Sequence, residues 1–256
     1  MAKFKQECVF GLRAVLEAIQ KGKEIERVMF KQGLRQGELF QELFTLVRER
    51  GIPFQYVPAE VFKPFESRNH QGVLAEISPV DYQDINEVVD RVVAAGEEPL
   101  ILVLDRVTDV RNFGGITRTA ECAGVHAVLI PNKNSAKISS DAIKTSAGAL
   151  YHLPVCREQN LKKAIKELKR RGLQVYAASE KAEQYYTGVD MRVGCVLIMG
   201  AEDTGIDEEL LRHAHAQIKI PQRGHIDSLN VSAATAVLLY EAVRQREEAD
   251  VNEVCS

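Results

Sequence analysis

Two rhythms of apolar positions divide the chain. Over roughly the first 75 residues, helical and extended patterns alternate. Gly11–Lys21 reads as a helix, Arg27–Phe30 as a strand, and Glu38–Arg50 as a helix with Leu39, Leu43 and Leu46 on one face. A strand at Phe54–Val57, a short helix after Pro58 and a strand at Gly72–Ile77 complete a self-contained α/β unit. From Leu100 onward the apolar runs are continuous: Leu100–Leu104, Val125–Pro131, Leu153–Cys156, Leu173–Ala178, Val193–Met199 and Ile218–Ile220. Such runs predict parallel strands buried on both faces. Helical patterns separate them, among them Leu161–Arg171, Glu208–His213 and a long one from Leu229 to Glu247, with an acidic tail after Gln245 expected to fray. Between the two regions, Ser78–Pro99 gathers Pro79, Asp81, Asp84, Asn86, Gly96 and Pro99 around one helical pattern, Ile85–Val93. The expected organisation is therefore an N-terminal domain over 1–78, a linker over 79–98 and a C-terminal domain over 99–256.

Composition narrows the class. With 256 residues, 45% of them hydrophobic, the chain can bury a substantial core. No apolar run approaches the roughly 18 residues that span a bilayer, and Met1–Glu7 lacks the apolar stretch of a secretion signal, so a cytoplasmic protein is expected. Five scattered cysteines, Cys8, Cys122, Cys156, Cys195 and Cys255, form no C-x-x-C pair; they read as buried hydrophobes or free thiols. The net charge of −3 excludes a uniformly basic surface. Residues 1–75 nevertheless hold 12 Lys/Arg against 9 Asp/Glu, a slight lean toward a polyanion that solvated helix faces explain equally well.

The candidate chemistry sits in three loops that each follow a strand. They are Asn112-Phe113-Gly114-Gly115 with Arg118, Gly200-Ala201-Glu202-Asp203-Thr204-Gly205, and Ser228-Leu229-Asn230-Val231-Ser232. Strand, Gly-rich loop, helix is where α/β proteins place ligand sites, and three such loops predict one composite pocket. On local grounds Asn112 caps a helix starting near Phe113 or touches substrate, and the two roles are compatible. Asp207 reads as an N-cap, with Glu208 and Glu209 in the first turn behind it. Asp105 and Asp109 read as loop or cap residues. Lys133, Lys137 and Lys144 occupy a Ser/Asn-rich loop, where solvated and phosphate-touching roles are balanced. The six histidines show no metal-ligand spacing, and no metal is expected. A dinucleotide-binding enzyme is disfavoured because no G-x-G-x-x-G opens a helix after the first strand.

The stretches Asn112–Ala120, Gly200–Ile206 and Ile220–Ala233, with Ser135–Ala149 followed by Leu153-Pro154-Val155, resemble the signature motifs of the SpoU branch of the SPOUT RNA methyltransferases. Val9–Val15 and His70–Val73 are similar to the N-terminal domain of a bacterial subgroup that methylates the ribose 2'-hydroxyl of a guanosine in large-subunit (23S) ribosomal RNA. Departures are Val110, where many members have Pro, and Gln222, where Met is common; neither removes a polar group the chemistry needs. The resemblance implies a ribosomal-protein-like α/β RNA-binding domain, then an α/β domain with a deep trefoil knot holding S-adenosylmethionine. It also implies a homodimer with the site near the interface. Arg118 would be the catalytic arginine, with Asn112, Glu202, Ser228 and Asn230 beside it. Gly200, Ile220 and Leu229 would hold the cofactor through backbone groups and apolar atoms.

A guanidinium stays protonated at any working pH, so Arg118 is better suited to bind a phosphate or steady a developing alkoxide than to act as a base. Glu202 is expected either to pair with Arg118 or to accept hydrogen bonds from substrate. The alternatives are a transfer-RNA guanosine enzyme, or a non-catalytic RNA-binding ribosome-assembly factor of the same fold.

Overall fold

The computed structural model describes residues 8–34, 37–226 and 228–254. They form two units: the chain up to Asp81 with Ile138–Ser140, and Tyr82–Lys137 with the chain from Asp141.

The first unit is built on a sheet of four strands in the order β1-β4-β2-β3, where β1 is Cys8–Phe10, β2 Ile25–Lys31, β3 Phe54–Val57 and β4 Val73–Ile77. Only β2 and β3 pair in parallel. Helix α1 (Leu12–Gln20) follows Gly11, whose φ of 95° lies in the region that glycine tolerates best. Alternation along β2 sends Val28 and Phe30 toward α1 and helix α2 (Glu38–Glu49), and Met29 to the opposite face with Val57, Phe62 and Leu74. Each fully buried large side chain of this kind contributes about 1.5–3 kcal/mol.

Helix α2 buries Phe40, Leu43 and Val47, whereas Leu39 and Leu46 lie at its rim. The buried stripe is thus rotated from the expected Leu39–Leu43–Leu46 face. The cause is Phe40, which meets Phe30 edge-on at 5.5 Å and stacks on Phe44.

The second unit is an eight-stranded, all-parallel sheet. Its strands are β5 (Tyr82–Gln83), β6 (Leu100–Leu104), β7 (Ala127–Pro131), β8 (Val155–Glu158), β9 (Gln174–Ala178), β10 (Gln184–Tyr185), β11 (Cys195–Met199) and β12 (Ala216–Lys219). The order is β10-β12-β9-β11-β6-β7-β8-β5. Helices α3 (Ile85–Ala94), α4 (Val110–Cys122), α5 (Ser140–Thr145), α6 (Leu161–Arg170), α7 (Glu208–Leu211) and α8 (Val231–Val254) punctuate it. The continuous runs are buried as their pattern requires; β6 and β11 expose almost nothing on either face.

Several expectations change. The segment 79–98 is no free linker, because from Tyr82 it belongs to the second unit. Ile85, Val88, Val89 and Val92 recur on one helical face, enter the same core as Leu161, Ile165 and Leu168, and turn the stretch into a core helix capped by Asp84. Residues 140–145, within a segment read as loop, form α5. The tail after Gln245 continues α8 instead of fraying there, with Arg244 bridging Glu241 at 2.8 Å and Glu248 at 2.7 Å on neighbouring turns. Cys156 and Cys195 are buried in strands, and burial pushes their thiols up to about 12 and about 11. Cys122 is exposed; Cys255 lies outside the described residues. No described helix is long and apolar enough to cross a membrane.

Candidate active site

Because β6, β11 and β12 run in the same direction in one sheet, the segments that follow them, 105–109, 200–207 and 220–226, open at one end of it. The loop after β11 folds back sharply on itself. Gly205, at φ 64°, donates its N–H to the Ala201 carbonyl at 2.9 Å. A Cβ on Gly200 would lie less than 3.0 Å from backbone atoms of Gly205 and Ile206, so no other residue fits without moving the chain.

This fold-back is anchored from β6. The carboxylate of Asp105, buried at the strand end, accepts from the Asp207 N–H at 2.8 Å and from Arg106 at 3.0 Å. Arg106 takes a left-handed φ of 58°, and its guanidinium reaches the Gly205 carbonyl at 3.3 Å. The hydrogen bond to Asp105 holds the Arg106 guanidinium above its ordinary pKa. A loop role for Asp105 was legible, but its grip on a turn about a hundred residues away was not. Hydrogen bonds to charged groups contribute about 1.5–3 kcal/mol. Asp105→Asn is therefore expected to weaken S-adenosylmethionine binding about tenfold or more in a calorimetric titration; unchanged affinity would show that the anchor does not shape the cleft.

Helix α4 starts at Val110, earlier than expected, and its cap is Asp109, which accepts from Arg111 N at 2.9 Å and Asn112 N at 2.8 Å. Asn112 is consequently not the cap, and its side chain is available for another contact. That contact is Asn230, whose Nδ2 donates to Asn112 Oδ1 at 3.0 Å and to Glu202 Oε1 at 2.5 Å. Asn230 Oδ1 accepts from Ser232 N at 2.9 Å, and Glu202 also accepts from Val231 N at 3.4 Å. Asn112 from the first turn of α4, Glu202 from the loop after β11 and Asn230 thus meet at the start of α8. Gly115 permits the approach, since a Cβ there would sit 2.7 Å from Ser232 Oγ.

Beside this cluster lies an open cleft of about 650 Å³ counting its mouth. Gly200, Ile220 and Leu229 line it, with Ser228 and Glu202 at one side and Met199, Val231 and Leu238 among the apolar walls. Backbone groups beside a glycine, flanked by apolar side chains, fit the adenosyl part of S-adenosylmethionine. Arg118 behaves differently. It is exposed on α4, is not among the residues lining the cleft, and has no ion pair or hydrogen bond from its guanidinium among the described residues. Glu202 therefore does not pair with Arg118 in this chain; its carboxylate is taken up by Asn230 and the α8 backbone. Among the described residues no group of three or more His, Cys, Asp and Glu is placed to hold a metal.

Comparison with known proteins accords with the geometry. The SpoU rRNA methylase family matches residues 99–240, and the family of RNA 2'-O ribose methyltransferase substrate-binding domains matches residues 8–83. A Staphylococcus aureus protein assigned to the TrmH family of tRNA/rRNA methyltransferases is 32% identical over 246 residues, 96% of this chain and 98% of that one. The AdoMet-bound rRNA methyltransferase from Sinorhizobium meliloti is 28% identical, with a TM-score of 0.57 over 93% of this chain and 86% of that one. The fold also matches the SpoU methyltransferase AviRb from Streptomyces viridochromogenes in complex with AdoMet, at 22% identity and a TM-score of 0.61 over 95% of this chain and 91% of that one. Two family matches covering both units, on a chain whose second and third loops line one cleft while α4 joins them through Asn112, place it in the SpoU family of S-adenosylmethionine-dependent RNA 2'-O-ribose methyltransferases.

Proposed function

We propose that the chain methylates the ribose 2'-hydroxyl of a guanosine in large-subunit (23S) ribosomal RNA, acting in the cytoplasm as a homodimer. The observation that carries the choice of RNA is the complete N-terminal α/β unit, matched over residues 8–83 by a substrate-binding family. The likeness to the Sinorhizobium meliloti rRNA enzyme extends over 93% of the chain, so it includes both units.

When bound, S-adenosylmethionine supplies a methyl group already activated on sulfur. The protein's task is to align an oxygen with it and exclude competing orientations. The Asn230 amide, fixed between Asn112 and Glu202, is preorganised at the edge of the cleft, and Ser228 offers a hydroxyl there. Glu202 holds that amide and the first N–H of α8, so it acts on their placement. Arg118 presents an unengaged planar cation suited to a phosphate of the target strand. Because it does not line the cleft of its own chain, a second copy or the RNA itself would bring its partner to it. The trefoil knot is proposed on the strength of the SpoU family match.

The test is labelled methyl transfer to undermodified large-subunit ribosomal RNA and to transfer RNA side by side, with mapping of the modified nucleotide. Transfer confined to a guanosine ribose of the ribosomal RNA is expected; transfer confined to transfer RNA would overturn the assignment. Arg118→Ala is expected to lose most turnover while remaining folded. Arg118→Lys should lose much of it too, and full turnover by that variant would argue against planar phosphate recognition.

A further inference from the structure

The first unit carries an aromatic and basic cluster at the rim of its core, where Phe65 packs beside Met29, Val57, Phe62 and Leu74. Strand β1 lies at the edge of its sheet, and its last residue, Phe10, is half-buried. Half-buried Phe65 packs 6.1 Å from the Phe10 ring, and the guanidinium of exposed Arg68 lies over that ring at 4.8 Å. Among the described residues the Arg68 guanidinium makes no hydrogen bond or ion pair. Glu60 and Glu66 are the acids of this stretch, and neither engages it.

The segment bearing Phe65 and Arg68 is held in place. Arg68 N donates to the Phe65 carbonyl at 2.9 Å, and His70 stacks on buried Phe62. Gln71, in a left-handed conformation at φ 49°, accepts from Leu12 N at 3.1 Å. A rigid, partly exposed aromatic pair capped by a planar cation is what an unstacked base binds. An arginine committed to a structural ion pair would instead be tied to a carboxylate.

We propose that Phe10, Phe65 and Arg68 form a stacking platform for an unpaired base of the RNA substrate. It rests on the RNA methyltransferase function above and adds a place where the N-terminal unit grips its RNA. Stacking is tolerant of base identity, so the platform contributes affinity and register, and the choice of nucleotide lies elsewhere.

The test is a fluorescence titration of the full chain with a labelled, undermodified large-subunit ribosomal RNA transcript, with S-adenosylmethionine affinity measured in parallel. Arg68→Ala is expected to bind the transcript about tenfold more weakly, with cofactor affinity and melting temperature unchanged. Arg68→Lys keeps the charge but loses the planar face, and is expected to fall close to the alanine variant. Phe65→Leu keeps apolar volume without the ring and is expected to weaken binding in the same direction. Wild-type affinity in Arg68→Lys together with a loss in Arg68→Ala would identify a phosphate contact and overturn the platform. Wild-type affinity in Arg68→Ala would overturn it outright. An unaltered protein that binds the transcript but methylates neither RNA overturns the proposed function and leaves the platform standing; one that binds no RNA overturns both.

Discussion

Asn230→Asp is expected to leave the protein folded, at a modest cost in melting temperature from the two facing carboxylates, and to reduce methyl transfer by about a hundredfold or more, because the amide that ties Asn112 to Glu202 is lost and the site geometry with it. The variant keeps an oxygen for Ser232 N, so the cap at the start of α8 survives. It loses the Nδ2 donor to Asn112 and Glu202, and sets a second carboxylate against the first. Asn230→Ala removes both functions; it should lose turnover to a similar extent and also cost about 1 kcal/mol of stability. The pair separates capping from site geometry by comparing turnover with melting temperature. Near-normal transfer by Asn230→Asp would reduce Asn230 to a helix cap and remove the centre of the proposed site.

Gly200→Ala is the second large effect. The added methyl would press on backbone atoms of Gly205 and Ile206, which cannot swing aside as a flexible side chain would. Overpacking of this kind costs about 1–3 kcal/mol. Relief can come only by opening the fold-back that lines the cleft, and S-adenosylmethionine should bind from about tenfold to more than a hundredfold more weakly. Calorimetric titration reads this directly; cofactor affinity within threefold of wild type would show that the loop is not part of the cofactor site.

Much of this architecture was legible in the residues. Continuous apolar runs such as Cys195–Met199 can be satisfied only by burial on both faces, and so they announced the parallel sheet. The polar loops after β11 and β12 were legible because Gly, Asn and Ser cluster where buried strands end, whereas Asn112–Gly115 lies within α4. What stayed hidden depended on contacts between distant segments. Asp105 looks like any acid after a strand, and only the return of residues 200–207 makes it an anchor. The helix over Ile85–Ala94 was visible, yet whether it was linker or core depended on a partner face supplied by Leu161–Leu168. Strand β1 is three residues long and carries no period to read. Pairing with Arg118 was one of two roles expected for Glu202, and its absence has a related reason: spacing along α4 says which face a side chain occupies, but not that Asn230 engages the carboxylate.

Helix α8 begins beside the cleft and runs down the height of the sheet. At its far end Arg246 donates to the carbonyls of Met191 at 3.0 Å and Glu98 at 2.7 Å, and Gln245 Oε1 accepts from Met191 N at 2.8 Å. These partners lie just before β11 and β6 set out toward the site. One rod is therefore bolted to the strands' origins and carries the Asn230 amide on its other tip, so damage near its far end would be felt as misalignment at the opposite rim, with no nearby residue altered.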